Sequence, residues 1–292
     1  MRLPNSKDII LLTGGSGQLG HEWTKWLTSH SLPFLTPDST ELNLSDLDNV
    51  DLYLSKNKPT FIINCAAYTK VDLAEDENQI AELINHQAVA KIGAYSKKHQ
   101  VPLIHYSTDY VFSGHALDES KYPNGYPVDA KCHPTGVYGK SKLNGESSLL
   151  QIDGDFLIIR IAWLCGRHGK NFVKTMLRLS ESMNEIRVVS DQKGSPSFTS
   201  DVVSVTTKLM EKHILGIRHV STNGLISWAE FASEIMKSSQ KDTIITQIST
   251  KEFPTKAKRP LYSKLDCNLT ESDIGEKMPF WKDSLNKLLA EI

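Results

Sequence analysis

Two spacings of apolar residues alternate along the first half of this chain. Predominantly apolar runs occupy Ile9 to Leu12, Thr60 to Tyr68, Pro102 to Asp109 and Asp155 to Ile161, the third ending in hydroxyls and a carboxylate. Short runs rich in β-branched residues, without polar alternation, predict parallel strands buried on both faces. Pro33 to Thr36 predicts a further short strand. Between these runs the spacing becomes helical. Leu19, Trp23, Trp26 and Leu27 place a helix after the first strand, and Ser45 is the expected cap of a helix reaching about Lys56. A long helical pattern covers Asp76 to His99, and another helix covers Gly136 to Glu146. Strands alternating with helices predict an α/β fold: a doubly wound parallel sheet of the Rossmann type.

Beyond Trp163 the alternation loosens. Helices are expected over 171–183, 200–213 and 228–236, with short strands at 186–189 and 216–220. A basic, extended stretch follows from Pro254 to Asp266, and a last helix carries Trp281, Leu285, Leu288 and Leu289. The predicted organisation is a dinucleotide-binding Rossmann domain over residues 1–169 and a smaller C-terminal lobe over 170–292, mainly substrate-binding. A segment near 200–222 is expected to return to the first domain, and the cleft between the two is the expected site. The Pro- and Gly-containing loop from Gly114 to Pro134 is long enough to predict a functional wall or lid.

Composition narrows the class. The 292 residues are 39% hydrophobic and 23% charged with a formal net charge of -1, which suits a soluble globular protein. That charge gives no electrostatic reason to expect nucleic acid or an anionic membrane as partner. Cys65, Cys132, Cys165 and Cys267 are scattered, with no metal-ligand spacing, so they read as reduced thiols and no metal site is expected. The polar stretch from Met1 to Asp8 lacks an apolar leader segment, and no later stretch is long enough to span a bilayer, so a cytoplasmic location is expected.

The chemistry resides in three places. Gly14, Gly17 and Gly20 form Gly-x-x-Gly-x-x-Gly between the first strand and its helix, the arrangement that brings a pyrophosphate against free N–H groups at a helix N-terminus. Ala66 and Ala67 end the third strand, where small residues allow a cofactor close to the backbone. Tyr138 and Lys142, four apart on a helix, share one face, so an ammonium sits near a phenol and favours its ionised form. Such a pair passes protons to or from a carbonyl or alkoxide oxygen. A hydroxyl at the end of the fourth strand could hold that oxygen. Asp38, about twenty residues past the glycine loop, could bind the ribose hydroxyls of NAD, and no Arg or Lys lies between Pro33 and Val50. Pro37 to Thr40 reads equally as a solvated turn, so NADH and NADPH both stay open.

These motifs together resemble the extended short-chain dehydrogenase/reductase superfamily, and longer stretches resemble its dTDP-4-dehydrorhamnose reductase family. The stretches are GGSGQLG (14–20), NCAAYTKVDLAE (64–75), HYSTDYVF (105–112), YGKSKLNGE (138–146), RIAW (160–163), NFVKTMLRL (171–179), DQKGSPS (191–197) and RPLYSKLD (259–266). The resemblance covers nearly the whole chain. It implies reduction of the 4-keto group of dTDP-4-dehydro-L-rhamnose by NADH or NADPH, giving dTDP-L-rhamnose for surface polysaccharide. By the same resemblance Thr108 polarises the ketone, Tyr138 is the acid, and Lys142 lowers the Tyr138 pKa and binds the nicotinamide ribose. Asp109 and Trp163 contact the sugar nucleotide. Gly17, Gln18 and Leu19 hold the dinucleotide together with Ala67, Tyr68 and Thr69. The family often forms homodimers, sometimes with an interface magnesium ion, for which no ligand cluster is seen here.

Three departures stand out. Asn43, followed by Leu44, replaces the Asp usual near the adenine; the Pro37 to Thr40 stretch replaces an Arg; and Ser197 replaces a Thr. Two alternatives remain: a reductase of another 4-keto-6-deoxy sugar nucleotide, which uses the same chemistry, and a regulatory subunit that binds nucleotide without catalysis. Intact Thr108, Tyr138 and Lys142 favour an enzyme.

Overall fold

The computed structural model describes residues 1–292. The chain begins β1 (Ile10–Thr13), α1 (Gln18–Ser29), β2 (Phe34–Leu35), α2 (Leu47–Asn57), β3 (Phe61–Asn64) and α3 (Val71–Ala74). Next come α4 (Asn78–Glu82) and α5 (Ala88–His99), joined by a π turn at Leu83–Gln87, then β4 (Leu103–Thr108), α6 (Asp118–Lys121), α7 (Val137–Ile152) and β5 (Phe156–Ile161). The remainder is β6 (Leu164–Cys165), α8 (Phe172–Ser180), β7 (Glu185–Val189), β8 (Lys193–Gly194), β9 (Ser197–Phe198), α9 (Thr199–Glu211), β10 (Gly216–His219), β11 (Ile226–Ser227), α10 (Trp228–Ser238), β12 (Ile244–Ile248), α11 (Asn268–Ile274) and α12 (Trp281–Leu289).

Six strands form one parallel sheet in the order β2-β1-β3-β4-β5-β10. Alternate residues of its strands face opposite layers, so the apolar runs divide into two cores. Ile10, Leu12, Ile63, Ile104 and Ile159 pack beneath Trp23 of α1 and Val202 and Leu209 of α9. Leu11, Ile62, Leu103 and Ile158 pack against Val50 of α2, Ile92 of α5 and Leu149 of α7. After β1 the chain turns to β2 on one side and reaches β3 on the other, so the strand order reverses between β1 and β3. A crevice opens at the carboxyl ends of strands at such a point.

A separate core builds the C-terminal lobe. Val173 and Met176 of α8, Ile186 and Val188 of β7, Phe231 and Ile235 of α10, and Trp281 and Leu285 of α12 bury one another. Ser227 and Glu230 close a reciprocal capping box at the start of α10. By contrast α9 and β10 lie on the main sheet.

Several expectations are corrected. The cap of α2 is Asp46, whose carboxylate accepts from the N–H groups of Asp48 and Asn49; the expected Ser45 lies one residue early. The third strand ends at Asn64, because the chain leaves the sheet at Cys65 to form the crevice wall. The long 76–99 helix begins at Asn78 and contains the π turn. That turn places the Asn85 amide to clamp the Tyr68 backbone, accepting from its N–H (2.9 Å) and donating to its carbonyl (3.0 Å), and to donate to Ser141 Oγ (3.0 Å). Residues 114–134 line no part of the crevice. Phe112 and Tyr126 instead bury themselves against Tyr262 and Leu265 of the C-terminal chain.

Candidate active site

The crevice above β1 and β3 is a cleft of about 640 Å³. Gly14, Gly17, Gln18, Leu19 and Gly20 form its floor; Ala66, Ala67 and Thr69 form one wall; Thr108, Asp109, Tyr138, Lys142 and Trp163 form the far end. The glycine loop is tightly closed. A Cβ on Gly20 would stand 2.1 Å from the Gly14 carbonyl oxygen, so only glycine lets α1 start this close to the loop. No side chain caps α1, and its first turn holds no acidic residue. Its free N–H groups and positive dipole end therefore face the cleft, which suits a pyrophosphate.

Helix α7 brings Tyr138 and Lys142 to the end of β4. A Cβ on Gly139 would meet the Tyr110 carbonyl at 2.2 Å, so the glycine allows the helix to press onto the 109–111 turn. The N-cap Gly136 offers no side chain; Glu75 supplies one from across the cleft, its Oε1 accepting from Val137 N–H at 2.9 Å. Glu75→Ala is expected to cost about 1 kcal/mol of stability in urea denaturation. The first turn carries Tyr138, so turnover should fall with it, and Glu75→Gln should recover most of both.

Tyr138 packs edge-on against Tyr110, with the Thr108 side chain close enough to its hydroxyl to favour the ionised form. Thr108 Oγ1 donates to Asp109 Oδ1 (2.9 Å) and accepts from Tyr110 N–H (3.2 Å). Burial pushes the Tyr138 phenol up to about 12, with the nearby Asp109 carboxylate adding to the rise and Thr108 opposing it. Lys142 is not among the groups that shift it. The ammonium donates to the Tyr106 carbonyl at 2.6 Å. Burial brings Lys142 down to about 8. A buried chain ends beside it: Thr13 Oγ1 donates to Asn64 Oδ1 (2.6 Å), Asn64 Nδ2 to His105 Nδ1 (3.0 Å), and His105 Nε2, then the ring nitrogen that carries the hydrogen, lies 3.4 Å from Lys142 Nζ.

The family model for the RmlD substrate binding domain matches residues 8–292. The chain belongs to this family. It is 38% identical to the Bacillus subtilis (strain 168) spore coat polysaccharide biosynthesis protein SpsK, over 97% of each chain. Identity to dTDP-4-dehydrorhamnose reductase of Aggregatibacter actinomycetemcomitans is 36%, over 96% of this chain and 98% of the relative. The crystal structure of dTDP-4-dehydrorhamnose reductase from Bacillus anthracis str. Ames in complex with NADP superposes with a TM-score of 0.91 at 34% identity. It covers 98% of this chain and 99% of that one.

In this RmlD-family chain a second cavity of about 490 Å³ adjoins the first, sharing Asp109, Tyr110 and Trp163 with it. Its walls are largely apolar, including Phe172, Met176, Val188 and Trp228. Trp163 stacks on Trp228 at 3.6 Å between ring centroids and has a left-handed backbone (φ 49°), costly for a bulky residue and held by that stacking. A strap across the cavity, 256–259, grips the Rossmann side. Asp72 accepts from Arg259 Nη2 (2.5 Å) and Ala257 N–H (3.0 Å), and Lys256 pairs with Asp76. Arg259 Nη1 is buried without a partner, as are Ser107 Oγ and Asp109 Oδ2.

Four expected site residues do not line either cavity. Leu44 is buried in the core under α2. Asn43 is exposed and bonds Ser45. The Tyr68 hydroxyl donates to Glu77. Asp38 is exposed, its carboxylate accepting from Thr40 N–H (2.7 Å) and Oγ1 (2.6 Å) and from Glu41 N–H (3.1 Å). With that carboxylate tied into its own turn, Asp38→Ala is expected to weaken NADH and NADPH binding alike, measured by titration. A loss confined to NADH would place it on the ribose. Glu75, Asn64, His105 and Arg259 were not marked by sequence reasoning. Arg259 lies in the basic extended stretch and opens the RPLYSKLD resemblance, and neither gave it a role.

A larger cleft of about 800 Å³ lies at the other end of the sheet. Its rim holds Lys58, Gln100 and His213. Lys58 and Gln100 cap the carboxyl ends of α2 and α5, where a cation offsets the helix dipole. It contains no nucleophile–base or acid pair.

Proposed function

We propose that this protein reduces the 4-keto group of dTDP-4-dehydro-L-rhamnose to give dTDP-L-rhamnose, using NADH or NADPH, for surface polysaccharide synthesis. The observation that carries the reading is the junction of the two cavities. Asp109, Tyr110 and Trp163 are shared by a glycine-loop cleft suited to a dinucleotide, which also holds Thr108, Tyr138 and Lys142, and an apolar cavity lined by the paired tryptophans.

A nicotinamide cofactor bound in the first cleft supplies a hydride to the ketone carbon. The uncapped start of α1 and the Gly14 to Gly20 loop would hold its pyrophosphate, and Ala66, Ala67 and Thr69 would border it. The unpartnered buried oxygens at the junction fit a polar ligand better than solvent-free packing. Tyr138 stays protonated across neutral pH because its pKa is raised, and a reduction needs that form. An alkoxide is more basic still, so transfer from the phenol to the new oxygen runs downhill. Thr108 holds the carbonyl oxygen, and Lys142, still largely charged near neutrality and one turn along α7, offsets through space the negative charge that develops on the phenol oxygen. Asp109 and Trp163 stand where the sugar nucleotide enters.

Reduction of another 4-keto-6-deoxy sugar nucleotide uses the same junction, because discrimination rests in the shape of the second cavity. One experiment decides: purified protein is given dTDP-4-dehydrorhamnose with NADH or NADPH, and the sugar product is identified. Nucleotide binding without turnover would favour the regulatory-subunit alternative. The proposal includes the cytoplasm as compartment, where four unpaired cysteines persist as thiols, and a homodimer, which sedimentation tests. No helix is long and apolar enough to cross a membrane.

A further inference from the structure

Thr108 has one hydroxyl hydrogen and two proposed uses for it. Here that hydrogen goes to Asp109 Oδ1 at 2.9 Å, while Oγ1 already accepts from Tyr110 N–H. With Asp109 ionised, Thr108 has nothing to donate to a ketone or to Tyr138. The other carboxylate oxygen, Oδ2, is buried and unpartnered, on a residue only 4% exposed that borders both cavities. A bare carboxylate oxygen in such a place is costly, and protonation removes the cost. The Thr108–Asp109 bond then reverses: the carboxyl donates to Thr108 Oγ1, and the Thr108 hydrogen is freed, for the ketone oxygen first and for the Tyr138 phenolate once the alkoxide has taken its proton.

We propose that Asp109 is the proton store of the reduction, refilling Tyr138 through the hydroxyl of Thr108. The inference rests on the reductase reading above. In each transfer one O–H bond breaks and one forms. The substrate alkoxide takes the Tyr138 proton, the phenolate takes the Thr108 proton, and Thr108 takes the Asp109 proton. The carboxylate left behind is reloaded by a proton from water at the cavity junction. The two electrons of the reduction come with the nicotinamide hydride, so the relay moves protons only.

The surroundings fit a carboxyl that changes state near neutrality. Burial pushes Asp109 up to about 7, with the Thr108 hydroxyl and the local N–H groups pulling the other way. Tyr110 faces it from its own turn, Thr108 from β4 and Tyr138 from α7. Lys142, one turn further along α7, is committed to the Tyr106 carbonyl. Arg259, on the wall of the second cavity, pairs with Asp72 through Nη2 and makes no ion pair with Asp109. No cation is among the groups that shift Asp109.

The sign follows. The store is full below its pKa, so kcat for reduction should fall as pH rises through about 7. In the reverse oxidation the store must accept, so the rate should rise across the same range. The test follows both directions from about pH 5.5 to 9.5 in wild type, Asp109→Asn and Asp109→Glu. Asparagine keeps the hydrogen bond but carries no titrating proton, so both limbs should flatten and kcat at low pH should drop on the order of 10²-fold. Glutamate should restore a limb. Nicotinamide nucleotide affinity, near wild type in both variants, reports that they fold. Persistence of the limb in Asp109→Asn, or a rise in KM alone, would overturn the relay and leave Asp109 a substrate contact. A wild type inactive at every pH would overturn the reductase reading and the relay together.

Discussion

Tyr138→Phe will fold, bind nicotinamide nucleotide and reduce its sugar substrate about 10²- to 10⁴-fold more slowly than wild type. The ring stays, so its edge-on contact with Tyr110 and the packing of α7 persist. Only the phenolic proton is lost. Hydride arrival at the ketone carbon leaves charge on oxygen, and without a positioned donor that charge waits for water. The effect belongs in kcat, since the proton moves in the transition state and ground-state binding hardly uses it. Single-turnover absorbance of the nicotinamide isolates the chemical step. A wild-type rate there would mean that the proton comes from elsewhere, and the assignment of this helix would fall.

The largest effect on stability is expected two turns further along the same helix. Glu146 of α7 and Arg160 of β5 are almost wholly buried and joined by a fork, Nε to Oε1 at 3.0 Å and Nη2 to Oε2 at 2.7 Å. The guanidinium is otherwise used up: Nη1 reaches the Val128 carbonyl (3.1 Å) and His219 Nε2 (3.3 Å), and Nη2 reaches Cys132 Sγ (3.4 Å). Beside this fixed positive charge His219 is held down to about 3, burial being the main cause, and so accepts as a neutral ring. Glu146→Ala leaves the Arg160 charge buried without a counter-ion and should cost about 3–5 kcal/mol. Glu146→Leu with Arg160→Met should recover most of that, because the desolvation of both charges disappears with them. Urea denaturation of the single and double variants measures it. A loss below about 1 kcal/mol for Glu146→Ala would mean that water reaches the pair.

The central sheet was legible because each of its signals is local. A strand buried on both faces must be apolar along its whole length, and a phosphate loop must be glycine-rich where the backbone turns. Ile10 to Thr13 and Gly14 to Gly20 carry both signals within a dozen residues. β12 (Ile244–Ile248) was missed because it pairs only with β7, in a two-stranded patch at the surface, and Ile244 stays exposed. α11 was missed because seven residues are too few to establish a period. The site was legible where its residues fall in short local motifs at the ends of the sheet's strands, such as Gly14 to Gly20, or four apart on a helix, as Tyr138 and Lys142. Glu75 caps a helix 62 residues away and Arg259 grips Asp72 across 187. Partnership over such distances leaves no periodic trace. Spacing of four puts Tyr138 and Lys142 on one face of α7, but it gives no sign of the Tyr106 carbonyl to which the buried ammonium donates at 2.6 Å.

The π turn at Leu83–Gln87 makes the length of its helix something the lineage cannot let drift. Each residue of an α-helix advances the winding by roughly 100°. Removing one residue there would restore ordinary winding and even raise local helix stability, yet it would swing Asn85 off the Tyr68 backbone and off Ser141 of α7. Adding one would do the same in the other direction. Substitutions along this segment are free to accumulate on its exposed side, whereas a shift in residue count is not. Related chains should therefore differ in letters between residues 78 and 99 but agree in number, and gene libraries built with single-codon deletions should show a sharp gap in survivors there.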